Sequence, residues 1–499
     1  MNNICGSVVL AVVAAVGFAR GETNGVLCPA SVFGDRMVLQ MERPIPVWGR
    51  AATNVTVDVS FAGQTVSSRT DAEGRWRVQL PPMSACREGR DLVIRSEGET
   101  ACFQDVLVGE VWFACGQSNM ECPIWGTNPH RRDEYGAVTA QTLRNRCVRF
   151  ASTANYRWSA VPKDNFEKRV VWKTCTSEEL LRWDNPREYG EFSAIAVYYA
   201  LELYRALEVP IAIVAAYWGG TRIEPWIPKC GYESVVAVSS RLSSPIRDRQ
   251  HPSALWNEQV SPWTPFQIRG MIWYQGCQNV DSPKSYCDLM HALYNGWSRS
   301  FENPSFKLYF VQLAPYRYDK GLAEKFPSLQ EAQAKFAAEE PNAAMAVTVD
   351  VGNVEDCHPN RKLVVAKRLA LHALKRDYGF TDIVSDSPVL KSWKTDGGKF
   401  LLEFDHAKGW FMYADDFSTD NGFEVAGEDG VWWPAVIGNQ LVREKARYKS
   451  NGIMKGTVLE VFSPKVKAPV CLRYLHSEPW TGRLYNEVGL PLGPFHIGY

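Results

Sequence analysis

The stretch VGEVWFACGQSNM, residues 108–120, runs from apolar residues 111–114 into Gly116, Gln117, Ser118 and Asn119. A buried strand that ends this way presents a hydroxyl at the edge of a sheet. Three further stretches end on polar chemistry. AAYWGGTRIEPW carries Gly219, Gly220, Thr221 and Arg222; MIWYQGCQN carries Gln275, Gly276 and Asn279; DVGNVEDCHPNRK carries Asp350, Glu355, Asp356 and His358. Acyl transfer by serine needs a hydroxyl, an imidazole to take its proton and a carboxylate to orient the ring. It also needs donors aimed at the oxyanion. Here Ser118 would attack, His358 would act as base and Asp356 would hold the ring. The backbone N–H groups of Ser118 and Gly219, with the amide of Gln275 or Asn279, would form the oxyanion hole. Taken singly, each has a plainer structural meaning: a helix-capping serine, a tight turn, a loop histidine. Their joint arrival at predicted strand ends favours catalysis. Met120 stands where the second glycine of G-x-S-x-G would be, which disfavours the usual α/β-hydrolase elbow.

The elements that must position these residues follow from hydrophobic pattern. Apolar runs without alternation occur at 111–114, 211–216, 271–273, 308–313 and 344–349, separated by helical stretches such as FSAIAVYYALELYRAL and SLQEAQAKFAAEE. That grammar predicts an α/β domain with a parallel sheet covered on both faces, over residues 106–384, with insertions at about 121–190 and 226–265. Ligands bind such sheets at the carboxyl ends of the strands. Residues 22–105 alternate in strand period, as in Val55, Val57, Val59 and Phe61, and predict an N-terminal β-sandwich. Strand-and-turn grammar returns over 385–499, a C-terminal β region expected to brace the catalytic domain.

Composition narrows the class. A chain of 499 residues is expected to hold about two to four domains. Its 55 basic and 55 acidic residues cancel, which argues against a nucleic-acid or anionic-membrane partner. The 18 tryptophans and 20 tyrosines are read mostly as core. Residues 1–21 carry an apolar run from Val8 to Phe18 and small residues at Ala19 and Gly21, the pattern of a secretory signal peptide. The run is well short of the roughly 20 residues a spanning helix needs. An exported protein, periplasmic or secreted and without membrane insertion, is expected. Of 13 cysteines one, Cys5, lies in the signal; the other twelve could form several disulfides in an exported chain, with a pairing the sequence does not give. No CxxC and no HExxH occurs, so zinc is not expected.

The segments GEVWFACGQSNM, WGGTRIEPW, WYQGCQN and CHPNRKLVVAKRLAL together resemble the sialate O-acetylesterases, a branch of the SGNH serine hydrolases. The early FGDRMVLQMERPIPVWG and the late LYNEVGLPLGPFHIG extend the resemblance over nearly the whole mature chain. It implies a flavodoxin-like SGNH hydrolase domain flanked by β domains, and removal of acetyl esters from sugar hydroxyls without metal or cofactor. By the same resemblance Ser118 takes the nucleophile's place, His358 the base's, and Gly219 with Gln275 or Asn279 the oxyanion positions. Two departures stand out. Cys277 replaces the family's glutamate in W-Y-Q-G-E, and Cys357 sits between Asp356 and His358. These two cysteines are expected to be bonded or at least close. The wider superfamily places its acid three residues before the histidine, at Glu355, and this branch two before, at Asp356. Asp356 is preferred, with Glu355 and then Asp350 as alternatives.

Arg222, Glu224 and Trp226 are read as substrate-binding, an arginine for a sialic acid carboxylate and an indole for a sugar face. A structural ion pair and a packed indole are the competing reading. The expected function is an exported serine esterase acting on O-acetylated sialic acids. An esterase for acetylated plant or algal polysaccharide and a catalytically impaired glycan-binding protein are the alternatives.

Overall fold

The protein is described from a computed structural model over residues 26–124, 134–180, 192–243, 245–412, 421–438, 442–443, 452–455, 458–477 and 484–498. The predicted signal peptide, and residues 125–133 and 181–190 of the first predicted insertion, lie outside the described residues.

The central sheet is built on one long strand, β1 (Glu99–Gly116). The other strands of its α/β part are β2 (Arg144–Ser152), β3 (Trp172–Thr176), β4 (Ile211–Tyr217), β5 (Gly270–Tyr274), β6 (Lys307–Val311) and β7 (Ala343–Ala346). Their order is β3-β2-β4-β1-β5-β6-β7. All neighbours run parallel except β3, which pairs antiparallel with β2. Ile211–Tyr217 and Gly270–Tyr274 are buried along their whole length, which explains apolar runs without alternation. The chain builds outward from β1 in both directions, so the crevice at the carboxyl end of β1 is the topological switch point.

Short helix α1 (Ser118–Glu121) follows β1 directly. Helices α2 (Ala194–Leu207), α3 (Tyr286–Ser300), α4 (Phe326–Glu339) and α5 (Lys362–Asp377) cover the sheet. Ser193 caps α2, its hydroxyl accepting the Ala196 N–H at 3.2 Å.

The predicted boundary at 105/106 falls inside β1. Its first half pairs antiparallel with Cys86–Ser96 of the N-terminal β region and its second half lies parallel between β4 and β5. The sheet therefore continues without a break, as 11 strands, and a separate three-stranded sheet completes the N-terminal region. One hydrophobic core runs from Val32 and Phe33 through Trp112 to Leu369, whereas the C-terminal region holds its own, around Phe400, Trp410, Leu459 and Leu472. That region forms three four-stranded sheets, antiparallel throughout.

Among the described residues no disulfide is formed. All twelve cysteines from Cys28 to Cys471 are free thiols, several of them, such as Cys115 and Cys175, enclosed singly within strands. Among the described residues no helix is long and apolar enough to cross a membrane.

Candidate active site

Strand β1 ends in register with both neighbours, Gly116 standing opposite Tyr217 on β4 and Tyr274 on β5. Gly116 has φ +145°, and a Cβ there would lie 2.3 Å from the Tyr274 carbonyl oxygen. Only glycine lets the chain turn this tightly between two strands. The Gln117 N–H donates to the Tyr274 carbonyl at 3.1 Å and the Trp218 N–H to the Gly116 carbonyl at 3.2 Å, tying three strand ends together. Ser118 is the first residue of α1 and not its cap, a place taken by Gln117. The capping alternative for Ser118 is thereby removed. Its hydroxyl instead lies 2.8 Å from Nε2 of His358.

His358 reaches this point from the loop between β7 and α5. Its Nδ1 faces the Asp356 carboxylate at 3.4 Å, and the same oxygen accepts the His358 backbone N–H at 2.9 Å. Asp356 is thus the carboxylate beside the ring. Glu355 points to solvent, 67% exposed, and pairs with Arg317 at 2.6 Å. Asp350 is buried in a bidentate pair with Arg368 at 2.6 and 2.7 Å. Two residues that sequence reasoning passed over hold the loop against the serine. The Asn119 amide donates to the Cys357 carbonyl at 2.8 Å, and buried Lys362 donates to the Asn119 side-chain oxygen. Asn119 stood in the quoted motif, but only its neighbour's hydroxyl carried a chemical signal.

The oxyanion expectations meet a different arrangement. Gly219 lies beside the serine, where an added Cβ would fall 3.3 Å from that of Ser118, and its backbone N–H is engaged. It donates to the buried Glu121 carboxylate at 2.6 Å, and that carboxylate also accepts the Tyr156 hydroxyl. Gln275 and Asn279 are turned into a fully buried network. The Gln275 amide donates to the Thr221 carbonyl at 3.1 Å and to the Asn279 side-chain oxygen at 2.8 Å. Asn279 in turn donates to Glu224 at 2.9 Å. Among the described residues no hydrogen bond joins either amide to Ser118, and both are engaged within this network. The first N–H groups of a helix have no partner within it. That of Ser118, at the start of α1, stands beside the hydroxyl.

Arg222, Glu224 and Trp226 form the structural alternative. Arg222 grips Asp281 at 3.1 and 3.0 Å and approaches Glu224 at 3.5 Å. Glu224 also binds Arg241 at 2.5 Å. Trp226 is fully buried, its indole N–H donating to Thr221 at 3.2 Å, which leaves no ring face for a sugar. The open side of the crevice carries Trp218 instead, edge-on to Tyr156 and with the Arg249 guanidinium 4.8 Å above its ring. Arg249 lies next to Gly220 and forms no ion pair with any described residue. It sits on the loop over 245–252, where no spacing rule links it to the motifs.

Cys277 and Cys357 are both free, so the bonded form of that expectation is not seen, but their thiols lie within electrostatic reach of each other. Burial, with Cys357 nearby, pushes Cys277 up to about 11. Burial, and then the Asp356 carboxylate, also raises Cys357. Cys357 thus faces the His358 ring as a neutral thiol, 3.4 Å from Nδ1, and does not replace Asp356 as the anion there.

This geometry brings a hydroxyl, an imidazole and a carboxylate together at the carboxyl end of the central strand, which suits ester cleavage. Comparison with known proteins agrees. Residues 108–374 match the family described as carbohydrate esterase, sialic acid-specific acetylesterase. The chain is 28% identical to human sialate O-acetylesterase over 406 residues, 72% of this chain and 73% of that protein. It is 26% identical to the mouse sialate O-acetylesterase over 477 residues, 82% and 84% of the two chains. A solved carbohydrate acetylesterase from Xanthomonas citri superposes with TM-score 0.80 at 31% identity, covering 94% of this chain and 99% of its own. The chain is therefore a carboxylic ester hydrolase and belongs to the sialic acid-specific acetylesterase family of carbohydrate esterases.

Proposed function

We propose that the protein is an exported serine esterase that removes O-acetyl groups from carbohydrate, with O-acetylated sialic acids as its substrates. The observation that carries the mechanism is the 2.8 Å approach of His358 Nε2 to the Ser118 hydroxyl. Ser118 Oγ attacks the acetyl carbonyl while His358 takes its proton, and Asp356 steadies the imidazolium that forms. The tetrahedral oxyanion meets the Ser118 and Gly219 N–H groups, the latter once Glu121 yields it. The sugar hydroxyl leaves with the proton from His358. A water, deprotonated by His358, then attacks the acetyl-enzyme and releases acetate.

The sialic acid reading rests on Arg249. A guanidinium without a carboxylate partner, stacked over Trp218 at the mouth of the crevice, suits a substrate that brings its own carboxylate. Arg222, first assigned this part, is already paired. Acetate release from 9-O-acetylated sialic acid and from acetylated xylan tests the assignment, with Arg249→Gln beside the wild type. The expected result is preference for the sialic acid and a roughly tenfold to hundredfold fall in kcat/KM for Arg249→Gln on that substrate, with little change on a neutral acetate ester. Equal or faster release from xylan, unaffected by the substitution, would move the substrate to neutral polysaccharide and keep the mechanism.

A further inference from the structure

Away from the crevice, three potential metal ligands meet where the α/β core touches the C-terminal β region. Glu331 lies on α4; His476 follows the strand Cys471–Tyr474; His496 lies on the strand Phe495–Ile497, which pairs antiparallel with it. One oxygen of Glu331, Oε1, lies 3.0 Å from His476 Nε2 and 2.6 Å from His496 Nδ1. The ligand atoms of the three residues all lie within 4.8 Å of one another. Their side chains are only partly shielded, with relative exposures of 23% for Glu331, 16% for His476 and 43% for His496, so the group is open to solvent on the His496 side.

We propose that Glu331, His476 and His496 form a zinc-class metal site that clips the C-terminal β region to α4. Two imidazoles and a carboxylate with an open fourth position suit a borderline divalent cation such as zinc. Bonds of about 2.0–2.2 Å place tetrahedral ligand atoms roughly 3.3–3.5 Å apart, so the observed group need open by less than about 1 Å to admit the ion. Binding needs lone pairs on His476 Nε2 and His496 Nδ1: in a neutral ring the proton shifts to the other ring nitrogen, and an imidazolium releases one proton to solvent. Arg473, opposite His496 in the strand register, is already paired with Glu424 at 2.8 Å.

Glu331 precedes His476 and His496 by 145 and 165 residues and the three leave no motif, which is why the sequence predicted no metal. A second group, Cys287, His291 and Glu339, is less suited, because an i,i+4 pair on one helix meets by default and Lys335 approaches the same carboxylate at 3.8 Å.

The test is calorimetric titration of the chelator-treated full-length chain with Zn²⁺ at neutral pH. Thermal melts and esterase assays are run at each addition, and Co²⁺ is substituted for absorption spectra. The expected result is one equivalent bound and a raised Tm, with esterase activity unchanged. Affinity should fall at least tenfold in both Glu331→Gln and His496→Ala and persist in Cys287→Ala. Co²⁺ should show ligand-field bands without thiolate charge transfer. Absence of saturable binding would overturn the site. So would binding that survives both ligand substitutions, that disappears in Cys287→Ala, or that abolishes esterase activity at the first equivalent.

Discussion

At the scale of single residues, the two carboxylates before His358 differ in what already holds them. Glu355 is exposed and paired with Arg317, whereas Asp356 faces the ring and fixes the backbone of the histidine it serves. Asp356→Asn is expected to lower kcat by about two to four orders of magnitude. Glu355→Gln should stay within roughly threefold. Steady-state acetate release decides between them; the reverse order would transfer the role to Glu355. Asn119 acts through others, holding the Cys357 carbonyl and receiving Lys362. Asn119→Ala should therefore lower kcat while KM moves little, because the imidazole loses its placement and the substrate contacts remain. A change confined to KM would contradict that positioning role.

At the scale of elements, the His358 loop is anchored near its start, where β7 delivers it and Asp350 pairs with Arg368 of α5. Asp350→Asn leaves a buried guanidinium without its anion and is expected to cost about 3–5 kcal/mol, read as a lowered Tm with reduced activity. A wild-type melt would contradict the anchoring. Much of this scaffold was legible from pattern. The apolar runs at 211–216 and 271–273 lie within β4 and β5, because a strand buried on both faces has no polar positions to spare. The run at 344–349 outlasts β7, which ends at Ala346, since apolar residues continue into the buried loop before Asp350. The orientations of Gln275 and Asn279 were not legible. They depend on Thr221, Glu224 and Tyr286, which the fold brings in from other segments. Trp226 was misread for the same reason: its indole is enclosed by packing that no local spacing reports.

At the scale of the whole molecule, the α/β core and the C-terminal core meet around Met345 on β7, which packs against both. His372 on α5 is fully enclosed there, its Nε2 3.2 Å from the Met345 carbonyl, and burial lowers its pKa to about 4. Its unfolded value is about 6.5. The unfolded chain therefore binds more protons between those limits, and stability rises with pH across that window and levels off above it. Acidification from pH 6.5 to 4 should lower the Tm steadily, and His372→Gln should flatten that slope. An unchanged slope would place the acid sensitivity elsewhere. The division into two cores also shows the limit of composition as a guide. The change of strand grammar near residue 106 was real, yet one continuous strand carries the chain through it.

The central claim is that Ser118, activated by His358, carries the acetyl group. The measurement that tests it most directly is kcat/KM for acetate release from O-acetylated sialic acid by the wild type and by Ser118→Ala, with folding confirmed by matching melts. The account predicts clear release by the wild type and a fall of roughly four to six orders of magnitude in the variant. Activity within tenfold of wild type would show that another group attacks the ester and would overturn the mechanism.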